Sequence, residues 1–315
     1  MDDRAIDPPA HESPDGIVLI DLGFMDTPGV IASYLLAGDD GLTLIESGPA
    51  TTRAHLEQGL RDAGYSLQDV SRIIITHIHL DHGGAAGAIL RDHPHMRLSV
   101  HPFGAPHMVD PSRLLVSAGR IYEDRMDQLF GGVVGVPEDR LDLLTDGEVI
   151  RASGRSLRML FTPGHASHHV AIFDEMTGTL FTGDAGGVRV QGYDFVAPPT
   201  PPPEFAPDLW AETIETLRHT RPARLALTHF GMFDDVDSHL DRLMPGLESA
   251  VALARESLSR GGDLAALTAR LLDFERDNVG DTEAGQAIRQ LELASPTYVS
   301  AMGLQRYLKT RGELD

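Results

Sequence analysis

The sequence predicts an α/β fold of the α+β kind, with layered sheets, helices outside them and a C-terminal helical extension. Three observations predict it. Short apolar runs bounded by Gly, Asp and Pro are followed by helical patterns, and this strand-then-helix order occurs twice. From about Asp237 strand signals vanish and a helical period takes over, as in Leu240, Leu243, Leu247, Val251, Ala254 and Leu258. With 315 residues, 42% hydrophobic and 23% charged, the chain can bury a large core.

The elements follow in order. Residues 1–15, rich in Pro, Asp and Ser, read as a flexible arm that can bury little. Segments 17–23, 30–36 and 42–46 read as strands, the last two joined by the hairpin signal Gly38-Asp39-Asp40-Gly41. Leu56, Leu60 and Ala63 give 53–63 a helical period, and 72–76 reads as a strand. A helix is expected from near Gly84 through Leu90, then a strand at 98–100. The stretch 112–130 reads as one helix, with Leu114, Leu115, Ala118, Ile121, Met126 and Leu129 apolar. Strands are expected at 156–161, 169–173, 178–182 and 223–227, with a helix at 209–217 and a proline-rich extended loop at 198–207. The expected partition is an arm over 1–15, a catalytic domain over 16–236 and a helical extension over 237–315. No repeat at solenoid periods is present.

The formal net charge of −21 repels polyanions, so nucleic acid is not an expected partner. No apolar run approaches the length of a membrane span. The start, Met1-Asp2-Asp3-Arg4, lacks the basic and apolar regions of a secretory signal. Cysteine is absent, which excludes disulfides, thiolate ligands and Cys nucleophiles and fits the cytoplasm. The expected partner is a small-molecule substrate, with a homo-oligomer left open.

The chemistry is concentrated in Thr76-His77-Ile78-His79-Leu80-Asp81-His82-Gly83-Gly84, directly after the apolar run Ile73-Ile74-Ile75. Three imidazoles and a carboxylate on a loop at a strand end suit Zn²⁺ or Fe²⁺. Three more candidates follow apolar strands: His165 in Pro163-Gly164-His165, Asp184 in Thr182-Gly183-Asp184, and His229 in Leu227-Thr228-His229. A lone His at a strand end is usually structural, and Asp after Gly usually makes a turn. Four such signals in matching context point instead to one metal centre, if the strand ends converge at one rim.

This series of motifs resembles that of the metallo-β-lactamase-fold hydrolases, over roughly residues 17–231. The resemblance implies a four-layer αββα sandwich with the site at one edge of two sheets. It implies that His77, His79 and His165 hold one divalent ion, that Asp81, His82 and His229 hold a second, and that Asp184 bridges them. Zn²⁺ is the expected metal, with Fe or Mn also compatible with such donors. Two ions about 3.5–4 Å apart can share a hydroxide nucleophile and clamp both reacting oxygens, with Asp81 orienting the water or taking its proton.

The residues also sort the branches of that family. His79 stands where the flavodiiron redox branch has Glu. His229 speaks against the mono-iron sulfur dioxygenases, and the lack of Cys against branches with a Cys ligand. The loop and the Pro-Gly-His segment look most like glyoxalase II and the lactonases, which implies ester, thioester or lactone cleavage. A phosphodiesterase on the same scaffold and a mono-iron sulfur dioxygenase are the alternatives. Glyoxalase II places basic residues after the bridging Asp, yet here 185–193 contains Arg189 as its one cation.

Three further residues have open roles. Glu46, where the family commonly has Asp, is either a hydrogen-bond partner of a ligating His or an ordinary strand-end acid. His169 reads as structural or as a support for the metal site, and His168 as exposed. Tyr193 is either an oxyanion donor or a packed tyrosine.

Overall fold

The computed structural model describes residues 15–38, 41–280 and 284–314. The expected arm therefore lies, apart from Asp15, outside the described residues, as does the tip of the first hairpin. Among the described residues, twelve strands form two six-stranded sheets. The chain divides into two compact units: one runs to Leu160 and includes Asp174–Thr177, the other comprises Phe161–Phe173 and the chain from Gly178 onward.

In the first unit, β1 (Ile17–Asp21), β2 (Ala32–Gly38), β3 (Gly41–Ile45), β4 (Val70–Ile74), β5 (Arg97–Val100) and β6 (Leu141–Leu143) form one sheet in chain order. The pairs β1–β2 and β2–β3 are antiparallel, and β3 through β6 run parallel. Parallel strands are covered on both faces, which explains their continuous apolar runs. Leu44, Ile45, Ile73, Ile74, Leu98 and Val100 are all buried. Six helices accompany the sheet among the described residues: α1 (Arg53–Asp62), α2 (Leu80–Gly83), α3 (Ala86–Asp92), α4 (Ala105–Val109), α5 (Ser112–Tyr122) and α6 (Met126–Leu129). Leu56 and Leu60, one turn apart, form the buried stripe of α1. The hairpin β7 (Val149–Ala152) and β8 (Arg155–Phe161) follows.

The stretch 112–130 departs from expectation. It is broken at Glu123, whose φ of 50° cannot continue a right-handed helix. The sequence reading also missed β6 and β7, which are three or four residues long with charged residues inside.

In the second unit, β9 (Val170–Asp174), β10 (Thr179–Phe181), β11 (Arg224–Leu227) and β12 (Gly231–Phe233) belong to the other sheet. β10 pairs parallel with β11, and β11 antiparallel with β12. Helix α7 (Pro207–His219) opens on proline and buries Trp210, Ile214 and Leu217. From Val236 the described chain is helical: α8 (Val236–Ser259), α9 (Leu264–Val279), α10 (Ala284–Ala294) and α11 (Thr297–Thr310). Asp263 caps α9 by accepting a hydrogen bond from the Ala266 amide at 2.8 Å. Leu240, Leu243, Leu247, Leu267, Leu271, Leu304 and Leu308 are buried, so the periodic leucines of the sequence make this helical core. Among the described residues no helix is long and apolar enough to cross a membrane.

Candidate metal centre

In the first unit, β4 delivers the chain to Thr76, and the donors follow as it turns into α2. The donors therefore lie between the end of a buried strand and the first turn of a short helix. His77 and His82 are fully buried, with ring centroids 4.0 Å apart. His77 Nε2 and His79 Nδ1 face each other at 2.8 Å. Asp81 Oδ2 lies 3.8 Å from His82 Nε2.

Glu46, just after β3, organises this group. Its Oε1 accepts from Thr76 Oγ1 at 2.5 Å and from His82 Nδ1 at 2.9 Å, and its Oε2 accepts from the Thr76 amide at 3.2 Å. Thr76 Oγ1 in turn lies 3.0 Å from His77 Nδ1. A hydroxyl that donates to a carboxylate is left to accept, so His77 Nδ1 carries its proton toward Thr76. Both rings are thereby oriented with Nε2 as the lone-pair nitrogen, the tautomer a metal ligand needs. The backbone is held too: the Ser47 and Gly48 amides donate to the His82 carbonyl at 2.9 and 3.0 Å.

The second unit carries the other three donors. His165 Nδ1 donates to the Pro199 carbonyl at 2.9 Å, which leaves Nε2 for a ligand. That Nε2 lies 3.3 Å from Asp184 Oδ2, and His229 Nε2 lies 3.4 Å from Asp184 Oδ1. One carboxylate thus turns each oxygen toward a different imidazole. Trp210 braces both neighbours: its ring meets His165 edge-on, with centroids 5.8 Å apart, and its Nε1 donates to the Ala185 carbonyl at 2.9 Å.

His169 is buried beside the same turn. Its Nδ1 lies 2.7 Å from Thr162 Oγ1, and its Nε2 accepts from the Ala185 amide at 3.4 Å. His168, expected to be exposed, is buried, with its Nε2 3.7 Å from the Glu204 carboxylate of the proline-rich loop. Tyr193 is half-buried and lends its backbone carbonyl to Arg189 Nε at 2.9 Å. Arg189 itself is committed: it is buried, bound to Asp235 at 2.8 Å and Asp194 at 3.4 Å, and stacked over Phe233.

The donor chemistry fits borderline divalent ions, with five imidazoles and two carboxylates, each buried or half-buried. Sequence reasoning missed the supports: Thr76, Trp210, the Pro199 carbonyl and His239. The last is buried in α8, donates from Nε2 to the Gly186 carbonyl at 2.8 Å, and has its pKa pushed down to about 4 by burial. A helical pattern reports that a position faces inward, but not that a carbonyl waits there.

A sequence model described as the metallo-beta-lactamase superfamily matches residues 26–229. Metallo-beta-lactamase fold-containing protein ST1585 of Sulfurisphaera tokodaii is 24% identical over 234 residues, 73% of this chain and 84% of that protein. Atrochrysone carboxyl ACP thioesterase of Aspergillus fumigatus is 25% identical over 152 residues, 48% of this chain and 38% of that protein. Of two further relatives the chain spans 52% and 42% of the length. The crystal structure of metallo-beta-lactamase family protein TTHA1429 from Thermus thermophilus is similar at a TM-score of 0.71 and 22% identity, covering 94% of each chain, a likeness of fold.

Proposed function

Because the chain belongs to the metallo-β-lactamase superfamily, whose αββα fold class it shares and most of whose members are metal-dependent hydrolases, we propose that it cleaves an ester, thioester or lactone in a small metabolite at a dinuclear metal site. The observation that carries this reading is Asp184, with one carboxylate oxygen toward His165 and the other toward His229. In the proposed assignment His77, His79 and His165 hold one ion, Asp81, His82 and His229 hold the second, and Asp184 bridges them.

Bound divalent ions, Zn²⁺ first among the metals such donors accept, would lower the pKa of a coordinated water to about 7 and polarise the scissile carbonyl. The protein's own part is orientation and proton handling. Glu46 and Thr76 engage the Nδ1 atoms of His82 and His77, so Nε2 is the atom of each ring assigned to a metal. Asp81, whose side chain is 24% exposed, is assigned to orient the attacking water or take up its proton. His169 supports the Asp184 turn. Tyr193, in the loop after Asp184, is assigned to the substrate side.

The engagement of Arg189 with two acids favours a substrate without the paired carboxylates of glutathione. Similarity to a thioesterase favours the thioester within the acyl class. The net charge of −21 disfavours nucleic acid. We assign the protein to the cytoplasm, acting on a small molecule, with self-association compatible with this role. The test is a panel of chromogenic thioester, lactone, ester and bis-nitrophenyl phosphate substrates with zinc-loaded protein, beside His77→Ala. Acyl cleavage that disappears with metal content in the variant supports the reading. Turnover of the phosphodiester alone would move the protein to the phosphodiesterase class, and full metal content in His77→Ala would remove the ligand assignment.

A further inference from the structure

We infer that the C-terminal helices are part of the frame of the metal site, with His239 of α8 and Gly303 of α11 acting as positioning residues for Asp184 and His165. The inference rests on the dinuclear reading above and gives the helical extension a role within it. Two independent contacts carry it.

The first is His239. It is fully buried in a 24-residue helix and spends Nε2 on the Gly186 carbonyl at 2.8 Å. A carbonyl only accepts, so Nε2 bears the proton. Its Nδ1 has no hydrogen-bond partner among the described residues. A buried imidazole with one nitrogen unsatisfied is a poor choice for packing alone, because an unpaired buried polar atom costs free energy that leucine would not. What the residue does supply is a donor to the turn Gly183–Gly186, which contains Asp184. That turn is gripped at adjacent points as well: Trp210 Nε1 holds the Ala185 carbonyl, and His169 Nε2 faces the Ala185 amide. Across from these, a Cβ at Gly186 would come within 2.3 Å of Thr182 Oγ1, so the turn has little room to move.

The second contact is made by α11. Ser300 accepts from Thr200 Oγ1 through its carbonyl at 3.2 Å. One turn on, Gly303 lies so close to the loop that a Cβ there would sit 1.9 Å from the Thr200 carbonyl oxygen and 2.8 Å from Pro201 C. Glycine is required at this face because backbone meets backbone. The residue before Thr200 is Pro199, whose carbonyl takes the Nδ1 proton of His165. Helix position is therefore transmitted through two loop residues to the ring of a proposed ligand. The partner of a ligand imidazole's second nitrogen sets ring orientation, and its loss typically weakens metal binding by roughly 10–100-fold.

The full-length protein tests this with three substitutions and a control. His239→Gln keeps an N–H donor, His239→Phe keeps the ring and removes it, and Gly303→Ala forces the helix from the loop. Leu271→Ala removes a buried side chain from the α9 core as a control for general destabilisation. Each is stripped of metal, its apo melting temperature is recorded, and Zn²⁺ affinity is read by competition with a chromogenic chelator. His239→Phe and Gly303→Ala are expected to lose about tenfold or more in Zn²⁺ affinity. His239→Gln should retain wild-type affinity within a few-fold, and Leu271→Ala should melt earlier while binding Zn²⁺ normally. Wild-type binding in His239→Phe, or an equal affinity loss in Leu271→Ala, overturns the inference and leaves the dinuclear reading standing. A wild-type protein that binds no Zn²⁺ overturns the dinuclear reading, and this inference falls with it.

Discussion

Glu46 Oε1 and His82 Nδ1 meet at 2.9 Å with both side chains fully buried. The same carboxylate accepts from the Thr76 amide and hydroxyl, so Thr76 and His82 both hold it in place. Glu46→Gln preserves shape but removes the charge that holds both rings in their ligand tautomer. Zn²⁺ affinity is expected to fall roughly 10–100-fold, measured by chelator competition. An unchanged affinity would show that Glu46 is an ordinary strand-end acid.

Gly164 precedes His165 with a φ of +133°, and a Cβ there would lie 2.5 Å from the Trp210 Cα. Gly164→Ala must displace either α7 or the His165 loop. A stability loss of roughly 1–3 kcal/mol is expected from the strained backbone. Thermal melting and elemental analysis should show lower stability and lower metal content together. Normal values for both would contradict the packing described.

Arg155 and Asp174 form a buried ion pair at 2.5 Å, with side-chain exposures of 1% and 0%. Asp174 also accepts from the Met176 amide and Thr177 Oγ1. Arg155→Met leaves that carboxylate uncompensated and is expected to cost roughly 3–5 kcal/mol in urea unfolding. The exposed pair Arg91–Asp92 offers the contrast, since Arg91→Ala should cost under about 1 kcal/mol.

Glu275 of α9 has its pKa pushed up to about 7 by burial, with nearby Glu292 adding to the rise and a hydrogen bond from Thr297 opposing it. The folded-state value lies above the ordinary one of 4.5, so the fold holds a proton that the unfolded chain releases. Stability from this group is intact below 4.5 and is lost as pH rises toward 7. Above that the full cost of roughly 3 kcal/mol is present. Glu275→Gln should raise the melting temperature at pH 8 and change it little at pH 5. Equal effects at both values would refute the titration.

Several elements were legible because their cause is local. The run Ile73-Ile74-Ile75 is a buried strand and its continuation, and the His and Asp side chains after it sit where the strand hands over to α2. The leucines after Asp237 keep a helical spacing and are buried in helices. Other features had no local cause to read. Glu123 breaks the helix expected over 112–130 by adopting a left-handed φ that no residue type nearby announces. His168 is buried, with Glu204 of the proline-rich loop, 36 residues on, 3.7 Å from its Nε2.

By itself the sequence determined the longer strands and helices, the identity of the candidate donors and the absence of thiol chemistry, because periodicity and composition are properties of neighbouring residues. The tertiary structure decided how those donors are held. His165 finds its second partner 34 residues away at Pro199, His239 finds Gly186 at a distance of 53, and Thr200 finds Ser300 at 100. A hydrogen bond of this kind depends on which backbone carbonyl the packed core brings within reach, and packing is settled by contacts among residues far apart along the chain.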